Sequence, residues 1–254
     1  MGLTASDRFT SRVDDYRRYR PRYPAAIVDQ LRRDCDLSVD TKIVDIAAGT
    51  GLLAEIFLAH GNRVVAVEPN TRMRGACATL EEIYPGLQCM DGTAEATGLA
   101  EHSVDMVTVG QAMHWFDLQK TRAEFARILR PHGWCVVAYN HRRRSGDGLH
   151  DGYEAILNEF GTDYRKVQSA HLTEDRLRKF FSPSPMCRRS LGNAQVLDLE
   201  GLQGRVLSSS YMPGKGHPRY PRLQQEIAAL FAQNQKEGLV RLEYDCVISY
   251  GQLG

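Results

Sequence analysis

Two carboxylates and a pair of glycines are spaced so that they could hold a charged ligand. Asp45 lies in a short apolar stretch, Gly49 and Gly51 follow it, and Glu68 ends the next apolar stretch. The β-branched residues around Asp45 predict a strand buried on both faces, and the apolar residues after Gly51 predict a helix. Glycine permits positive φ and close approach of the backbone to a ligand, and the first N–H groups of a helix are free to donate. The segment therefore predicts a strand, a turn and a helix, with a binding site at the turn.

Two ligand classes fit that turn. The pattern Gly49-x-Gly51-x-x-Ala54 satisfies the fingerprint G-x-G-x-x-G/A of dinucleotide-binding proteins. Glu68 follows at the distance from which an acidic residue binds two ribose hydroxyls, so spacing alone does not separate NAD from S-adenosylmethionine (SAM). Asp45 favours SAM, because a carboxylate at the strand tip repels a pyrophosphate and attracts an ammonium and a sulfonium.

Further segments along the chain extend this pattern. In order they are VDIAAGTG at 44–51, VAVEPN at 65–70, TAE at 93–95, SVDMV at 103–107 and QAMHWF at 111–116. Over about residues 6–140 the chain resembles the class I SAM-dependent methyltransferases. It is similar to their small-molecule branch, which includes the trans-aconitate methyltransferase-like group. The resemblance implies an α/β fold with a doubly wound, Rossmann-like seven-stranded sheet, mostly parallel with a C-terminal antiparallel hairpin, and helices on both faces. It also implies S-adenosyl-L-methionine as cofactor and S-adenosyl-L-homocysteine as product.

Several polar residues are predicted at the carboxyl ends of the parallel strands, where ligands of open α/β sheets bind. In the family, the equivalent of segment 93–95 abuts the adenine ring, and a backbone N–H at the position of Ala94 donates to a ring nitrogen. Thr93 stands where many relatives have an aspartate, and nearby Asp91 could replace it. The residues predicted to bind the cofactor are Tyr16, Arg20, Asp45, Ala47, Gly49, Gly51, Glu68, Pro69, Asp91, Thr93, Ala94, Glu95 and Gln111.

The segment 16–24 is dense in arginine and tyrosine. One interpretation is a solvated run of charge. The other is a lid, because phenol rings can cover SAM and an arginine can pair with its carboxylate. The resemblance favours the lid, and we expect a helical lid over 1–34. We also expect substrate-cap insertions over 141–236, within a single class I methyltransferase domain over 1–254.

His114 follows the fourth predicted strand and is the candidate catalytic residue, a general base near the methyl group. The alternative is a structural donor or a substrate contact. Tyr19, Trp115 and Arg142 are candidate substrate contacts, and no metal site is expected. Sulfonium is already a good electrophile, so methyl transfer needs mainly alignment and exclusion of water. A carboxylate acceptor would need a cation to orient it and no base.

Hydrophobic periodicity and turn residues predict the elements that position these groups. The predicted strands are 42–46, 63–67, 87–90, 103–110, 135–139, 188–197 and 240–250, and residues 130–134 are predicted to form the turn into the fifth strand. Besides the helix after Gly51, the predicted helices are 7–19, 25–35, 71–83, 117–129, 153–160, 173–181, 199–208 and 221–236. Asn70 is the expected N-cap of the helix that begins at Thr71.

The composition and the cysteine spacing narrow the range of ligands and cellular locations to be considered. The 254 residues carry a formal net charge of +1, which gives no bulk attraction for nucleic acid or an anionic membrane. The six cysteines form no C-x-x-C pair, so we expect reduced thiols in a cytoplasmic protein, with neither a zinc site nor a disulfide framework. No apolar run reaches the length of a membrane span, and no signal peptide is expected. The oligomeric state is left open.

These observations predict transfer of a methyl group from SAM to a small-molecule acceptor, with a carboxylate or a hydroxyl as the acceptor group. Two other functions stay open. A nicotinamide-dependent oxidoreductase would keep the glycine turn and Glu68 but would leave Asp45 beside a pyrophosphate. A non-catalytic, SAM-binding regulatory protein is also compatible, because the strong motifs all lie in the half of the chain that binds the cofactor.

Overall fold

Seven strands of the computed structural model, which describes residues 13–162, 164 and 173–253, form one mixed sheet in the order β3-β2-β1-β4-β5-β7-β6. Their bounds are β1 Ile43–Ile46, β2 Val64–Val67, β3 Leu87–Met90, β4 Val104–Gly110, β5 Leu129–Arg142, β6 Cys187–Leu197 and β7 Val240–Gln252. Strands β1 to β5 pair in parallel, and β7 pairs antiparallel with both β5 and β6. The predicted Rossmann-like sheet with a C-terminal antiparallel hairpin is therefore confirmed.

The helices lie close to their predicted positions. They are α1 Val13–Tyr19, α2 Ala26–Asp34, α3 Ala54–His60, α4 Thr71–Ala78, α5 Leu118–Ile128, α6 Gly148–Phe160, α7 Glu174–Phe181, α8 Leu199–Leu207 and α9 Tyr220–Asn234. The Asn70 side chain accepts from the N–H groups of residues 72 and 73, which confirms the predicted cap of α4. Residues 7–12 of the first predicted helix lie outside the described residues.

Three predicted elements have boundaries that differ from the prediction. The helix predicted over 153–160 begins at Gly148, where the Asp147 side chain caps it by accepting from the His150 N–H (2.8 Å). The helix predicted over 71–83 ends at Ala78 and continues as the 3₁₀ turn Thr79–Glu82, where the Thr79 hydroxyl donates to the Ala76 carbonyl (2.9 Å). The turn predicted over 130–134 lies inside β5, as an irregularity in its pairing with β4. Strand β5 is longer than predicted because β7 pairs with it continuously from residue 134 to residue 142. This extension brings the end of β5 to the candidate site.

The sheet separates two hydrophobic clusters, as expected when successive side chains of a strand face opposite sides. Ile43 joins the cluster that contains Ile27 and Phe57, whereas Val44 joins the cluster that contains Phe125. Burial of each such side chain contributes about 1.5–3 kcal/mol to stability. Among the described residues, none of the helices combines the length and apolarity needed to cross a bilayer.

A third cluster lies among α6, α8, α9 and β7. Its buried members include Tyr153, Phe160, Leu202, Ile227 and Tyr244. The described part of segment 141–236 therefore has a core of its own, built against the end of the antiparallel hairpin. This core holds α6 and α8 beside the carboxyl ends of the parallel strands.

Candidate active site

A cavity of about 250 Å³ lies at the carboxyl ends of β1, β4 and β5. The predicted site residues that line it are Tyr16, Arg20, Asp45, Ala47, Gly49, Gln111, His114, Trp115 and Arg142. Further lining residues, among them Tyr23, Tyr153, Arg205 and Tyr211, come from the N-terminal segment and from the region after β5. The fold thus brings the first glycine of the turn, the segment after β4 and the end of β5 to one cavity.

Asp45 is the buried charge of this cavity, with only 1% of its surface exposed. Its Oδ1 accepts a hydrogen bond from the Thr108 hydroxyl (2.8 Å) on the neighbouring strand. Its Oδ2 is buried and has no hydrogen-bond partner among the described residues. Burial raises the pKa of Asp45 to about 7, and the hydrogen bond from Thr108 acts in the opposite direction. A buried carboxylate oxygen without a donor suits a ligand that carries an ammonium or a sulfonium.

The glycine turn combines a ligand-facing glycine with a packing glycine. Both Gly49 (φ 60°) and Gly51 (φ 85°) have left-handed backbone conformations. A Cβ at Gly49 would meet only the Met73 methyl group, at 4.0 Å. A Cβ at Gly51 would lie 2.7 Å from the Leu80 side chain and 2.9 Å from Cys77 Sγ, and Gly51 does not line the cavity. The structure therefore requires Gly51 for packing against α4 and the 3₁₀ turn.

Glu68 holds the turn in place. Its Oε2 accepts from the Gly49 N–H (2.9 Å) and its Oε1 from the Asn70 N–H (2.8 Å). The side chain is buried, which raises its pKa, while the two backbone donors act in the opposite direction. Each carboxylate oxygen can accept a second hydrogen bond, so these contacts are compatible with the predicted contact to ribose hydroxyls.

Gln111 has strained backbone geometry at the start of the segment after β4. Its φ is 58°, a left-handed value that costs a residue other than glycine about 1–3 kcal/mol. Its N–H donates to the Ala138 carbonyl (2.9 Å), and its side-chain amide nitrogen donates to the Asn140 carbonyl (3.1 Å). Because the amide nitrogen is engaged, the side chain can offer its amide oxygen to a cation.

The described part of the N-terminal segment contributes Tyr16, Arg20, Pro21 and Tyr23 to the cavity lining. The Arg20 guanidinium lies over the Tyr16 ring, 5.0 Å from its centre, and donates to the Ser208 carbonyl (3.2 Å). Tyr23 is buried beside Gly110. Tyr19, by contrast, packs its ring against Gly204 of α8, and its hydroxyl donates to Glu200 (3.0 Å). Tyr19 does not line the cavity, and its contact with substrate stays a prediction.

His114 lies in a short 3₁₀ turn, Met113–Trp115, on the wall of the cavity. Its Nδ1 is 3.2 Å from the hydroxyl of Tyr139, a side chain whose pKa is raised by burial. The ring also packs against Trp115, with centroids 4.7 Å apart. A general base at Nε2 requires the tautomer in which Nδ1–H donates to Tyr139.

Arginines and tyrosines from the region after β5 line the far side of the cavity. Arg142 forms an ion pair with Glu154, and its guanidinium lies over the Tyr153 ring, 4.4 Å from the centre. The Arg205 Nε donates to the Tyr244 hydroxyl (3.0 Å). The cavity therefore has a carboxylate at one wall and guanidinium groups at another.

The family comparison agrees with this geometry. Residues 44–137 match the family model described as a methyltransferase domain. Residues 44–137 form a class I SAM-dependent methyltransferase domain. The cofactor of such a domain is S-adenosyl-L-methionine, and the unpartnered Asp45 oxygen beside the glycine turn suits its charged groups.

Curated relatives of the methyltransferase domain include bacterial and fungal proteins. An uncharacterised methyltransferase of Mycobacterium tuberculosis is 37% identical over 134 residues, which is 53% of this chain and 52% of that protein. One of Schizosaccharomyces pombe is 30% identical over 138 residues, 54% of each chain. The chain thus spans about half the length of the curated relatives it matches.

Solved structures share the fold over nearly the whole chain. A protein provisionally described as a type II methyltransferase, from Anaeromyxobacter dehalogenans, aligns with a TM-score of 0.69 and 22% identity. The alignment covers 92% of this chain and 98% of that one. A protein provisionally described as a methyltransferase of an antibiotic biosynthesis pathway, from Anabaena variabilis, aligns with a TM-score of 0.62 and 20% identity, over 93% and 99% of the two chains. These similarities show a common fold.

The remaining predicted residues of the methyltransferase domain do not line the cavity. Asp91 pairs with Arg74 (2.9 Å), and Glu95 accepts from the Asp117 N–H (3.0 Å) at the start of α5. The full set outside the lining is Gly51, Glu68, Pro69, Asp91, Thr93, Ala94 and Glu95. They follow β1, β2 and β3, and cofactor binding by these seven residues stays a prediction.

Sequence reasoning missed Tyr23, Tyr153, Arg205 and Tyr211 as lining residues. One signal for Arg205 was available, because it lies three residues after Leu202 and so on the same face of its helix. A basic residue on the apolar face of a helix needs a partner or a function.

Proposed function

We propose that this protein transfers a methyl group from S-adenosyl-L-methionine to a small-molecule acceptor that carries a carboxylate or a hydroxyl group. The observation that carries the proposal is one cavity that connects Asp45 and the glycine turn with a wall of aromatic and cationic side chains. The formal net charge of +1 gives no bulk attraction for a nucleic acid. Nucleic acid is therefore not part of the proposal.

The lining residues divide into a cofactor side and an acceptor side. When bound, S-adenosyl-L-methionine supplies an electrophilic methyl group. The Asp45 carboxylate and the Gln111 amide oxygen would attract the positive groups of the cofactor, and Gly49 would let its methionine part approach the backbone. Glu68 would bind the ribose.

The remaining task of the protein is to align the acceptor and exclude water. Tyr16, Arg20 and Tyr23 from the N-terminal segment would act as the lid proposed for residues 1–34. Tyr153 and Tyr211 would belong to the substrate cap proposed within residues 141–236. Both assignments are supported by the position of these side chains on the cavity wall.

The role of His114 depends on the acceptor. A hydroxyl acceptor must lose a proton, and His114 would take it as general base through Nε2. A carboxylate acceptor is already ionised at neutral pH, so His114 would then act only as a wall of the pocket. Trp115 would be a further wall of the acceptor side.

The nicotinamide-dependent function is disfavoured by Asp45, whose unpartnered oxygen would repel a pyrophosphate. We also propose a cytoplasmic location, since all six cysteines are free thiols.

Calorimetric titration with SAM and, separately, with NAD tests the cofactor, with Asp45→Ala as the variant. We expect micromolar SAM affinity that the variant loses. Formation of S-adenosylhomocysteine with a panel of acceptors then tests the reaction. Binding of NAD in preference to SAM would refute the proposal, and SAM binding with no turnover on any acceptor class would favour the regulatory alternative.

A further inference from the structure

Arg205 is a buried cation of the cavity wall whose charge the described part of the chain does not balance. Only 7% of its surface is exposed, and it lines the cavity from α8. The Tyr244 hydroxyl accepts from its Nε (3.0 Å) and donates to the Gln195 side chain (2.7 Å). This chain of hydrogen bonds fixes the orientation of the guanidinium. Its Nη1 is buried and has no hydrogen-bond partner among the described residues.

The charge of Arg142, which lines the same cavity, is balanced by a carboxylate of the protein. Its guanidinium pairs with Glu154, so its charge is neutralised within the protein. Within the described ranges no carboxylate forms an ion pair with Arg205, which is surrounded by the hydroxyls of Tyr153, Tyr211 and Tyr244. A buried charge is costly unless it is paired, so a ligand is the expected counter-ion.

Tyr153 supplies a second donor beside Arg205. Its hydroxyl is buried, lacks a hydrogen-bond partner in the described part of the chain, and interacts electrostatically with Arg205. Burial raises the pKa of Tyr153 to about 12, so the hydroxyl keeps its proton at neutral pH. The Arg142 guanidinium stacked on its ring holds the phenol in place. Two unmatched donors from different helices therefore line the same cavity.

We infer that Arg205 and Tyr153 form an anion subsite that binds a carboxylate of the methyl acceptor and so determines acceptor specificity. One guanidinium and one neutral hydroxyl match a single negative charge, as a carboxylate provides. Leu157, Tyr211 and Trp115, which line the same cavity, offer apolar and aromatic surface for the body of the molecule. The inference rests on the proposed function, because only methyl transfer makes the bound carboxylate a methyl acceptor. Binding of a carboxylate at this subsite can be tested without that reaction.

The test uses small carboxylates, each paired with its own primary amide, so that shape is nearly constant and only charge differs. Benzoate, 3-phenylpropionate, octanoate and succinate are titrated calorimetrically into the protein, with and without S-adenosylhomocysteine. The variants are Arg205→Met, Arg205→Lys and Tyr153→Phe. Arg222→Gln, at an exposed position on α9, is the matched control.

We expect wild type and Arg222→Gln to bind at least one carboxylate about tenfold or more tightly than its amide, the ratio that one charged hydrogen bond provides. Arg205→Met should abolish this preference, Arg205→Lys should keep part of it, and Tyr153→Phe should reduce it severalfold. Affinity for SAM should be unchanged in all of them. An unchanged preference in Arg205→Met, or no preference in wild type that binds SAM, would overturn the inference.

Thermal unfolding separates a binding role from a structural one. If the charge of Arg205 is unpaired in the absence of a ligand, Arg205→Met should melt at the same temperature as wild type or higher. Added carboxylate should then raise the melting temperature of wild type and not that of Arg205→Met. A lower melting temperature for Arg205→Met together with retained carboxylate preference would assign Arg205 to structure and overturn the inference. Carboxylate preference without SAM binding would instead keep the subsite and refute the proposed function.

Discussion

Replacing Asp45 by asparagine should make the protein more stable, and the gain should grow with pH. The side chain is 1% exposed, and burial raises its pKa from 3.8 to about 7. A raised pKa means that the folded state holds a proton that the unfolded state has released. The associated stability is therefore fully present below pH 3.8 and is lost as the pH rises through about 7. Asparagine is neutral at every pH and escapes this loss.

The size of the effect follows from the two pKa values. Ionisation of Asp45 costs the folded state about 4 kcal/mol at pH 8, from the difference between about 7 and 3.8, and about 1.5 kcal/mol at pH 5. The free energy of unfolding of Asp45→Asn relative to wild type should thus rise by about 2–3 kcal/mol between pH 5 and pH 8. Any cost of the substitution that does not depend on pH cancels in this comparison.

Urea unfolding at the two pH values, without ligand, measures this difference. Asp40→Asn, at an exposed position, is the control and should stay within about 0.5 kcal/mol of wild type. The same Asp45→Asn variant should bind SAM about tenfold or more weakly, since a charged hydrogen bond is lost. A stability difference that is identical at pH 5 and pH 8 would show that Asp45 is not a buried carboxylate with a raised pKa.

Three further outcomes test the site. Gly51→Ala should destabilise the protein by about 2–4 kcal/mol in urea unfolding, because the new Cβ clashes with Leu80 and alanine is strained in a left-handed conformation. The control Gly238→Ala has a similar left-handed backbone but open space around the Cβ, and it should cost about 1 kcal/mol. His114→Gln should lower S-adenosylhomocysteine formation about 100-fold with hydroxyl acceptors and little with carboxylate acceptors; equal losses would argue against a base. Tyr19→Phe should leave the calorimetric SAM affinity within about twofold, because its hydroxyl bonds an exposed glutamate outside the cavity; a larger loss would place Tyr19 in the cofactor site.

Local patterns predicted the sheet and the cofactor side of the cavity. Short β-branched runs bounded by turn residues predicted β1 to β4, and the alternation after Val240 predicted β7. The Asn70 side chain caps α4 through hydrogen bonds to residues only two and three positions later, so the cap can be predicted from the local sequence. The order of strands, with loops at their carboxyl ends, was enough to bring Asp45, Gly49 and Gln111 together.

Contacts between residues far apart in the sequence decided the features that local patterns did not predict. Strand β5 extends to Arg142 because β7, about 100 residues later, supplies its hydrogen bonds. Gly51 packs closely against Leu80, a contact that its place in the fingerprint did not predict.

The amino-acid sequence by itself determined the individual strands, the glycine turn and the cap of α4, because strand, turn and cap signals act over a few residues. The resemblance of its motifs to class I methyltransferases supplied the fold class. Only the tertiary structure decided which side chains from the region after β5 line the cavity. Tyr153 and Arg205 lie on different helices more than fifty residues apart. They meet at the cavity because the third hydrophobic cluster packs α6 and α8 against β7. Packing of that core depends on contacts between distant segments, which no local sequence pattern predicts. This packing buries Arg205 at the cavity wall and so makes it a candidate anion site.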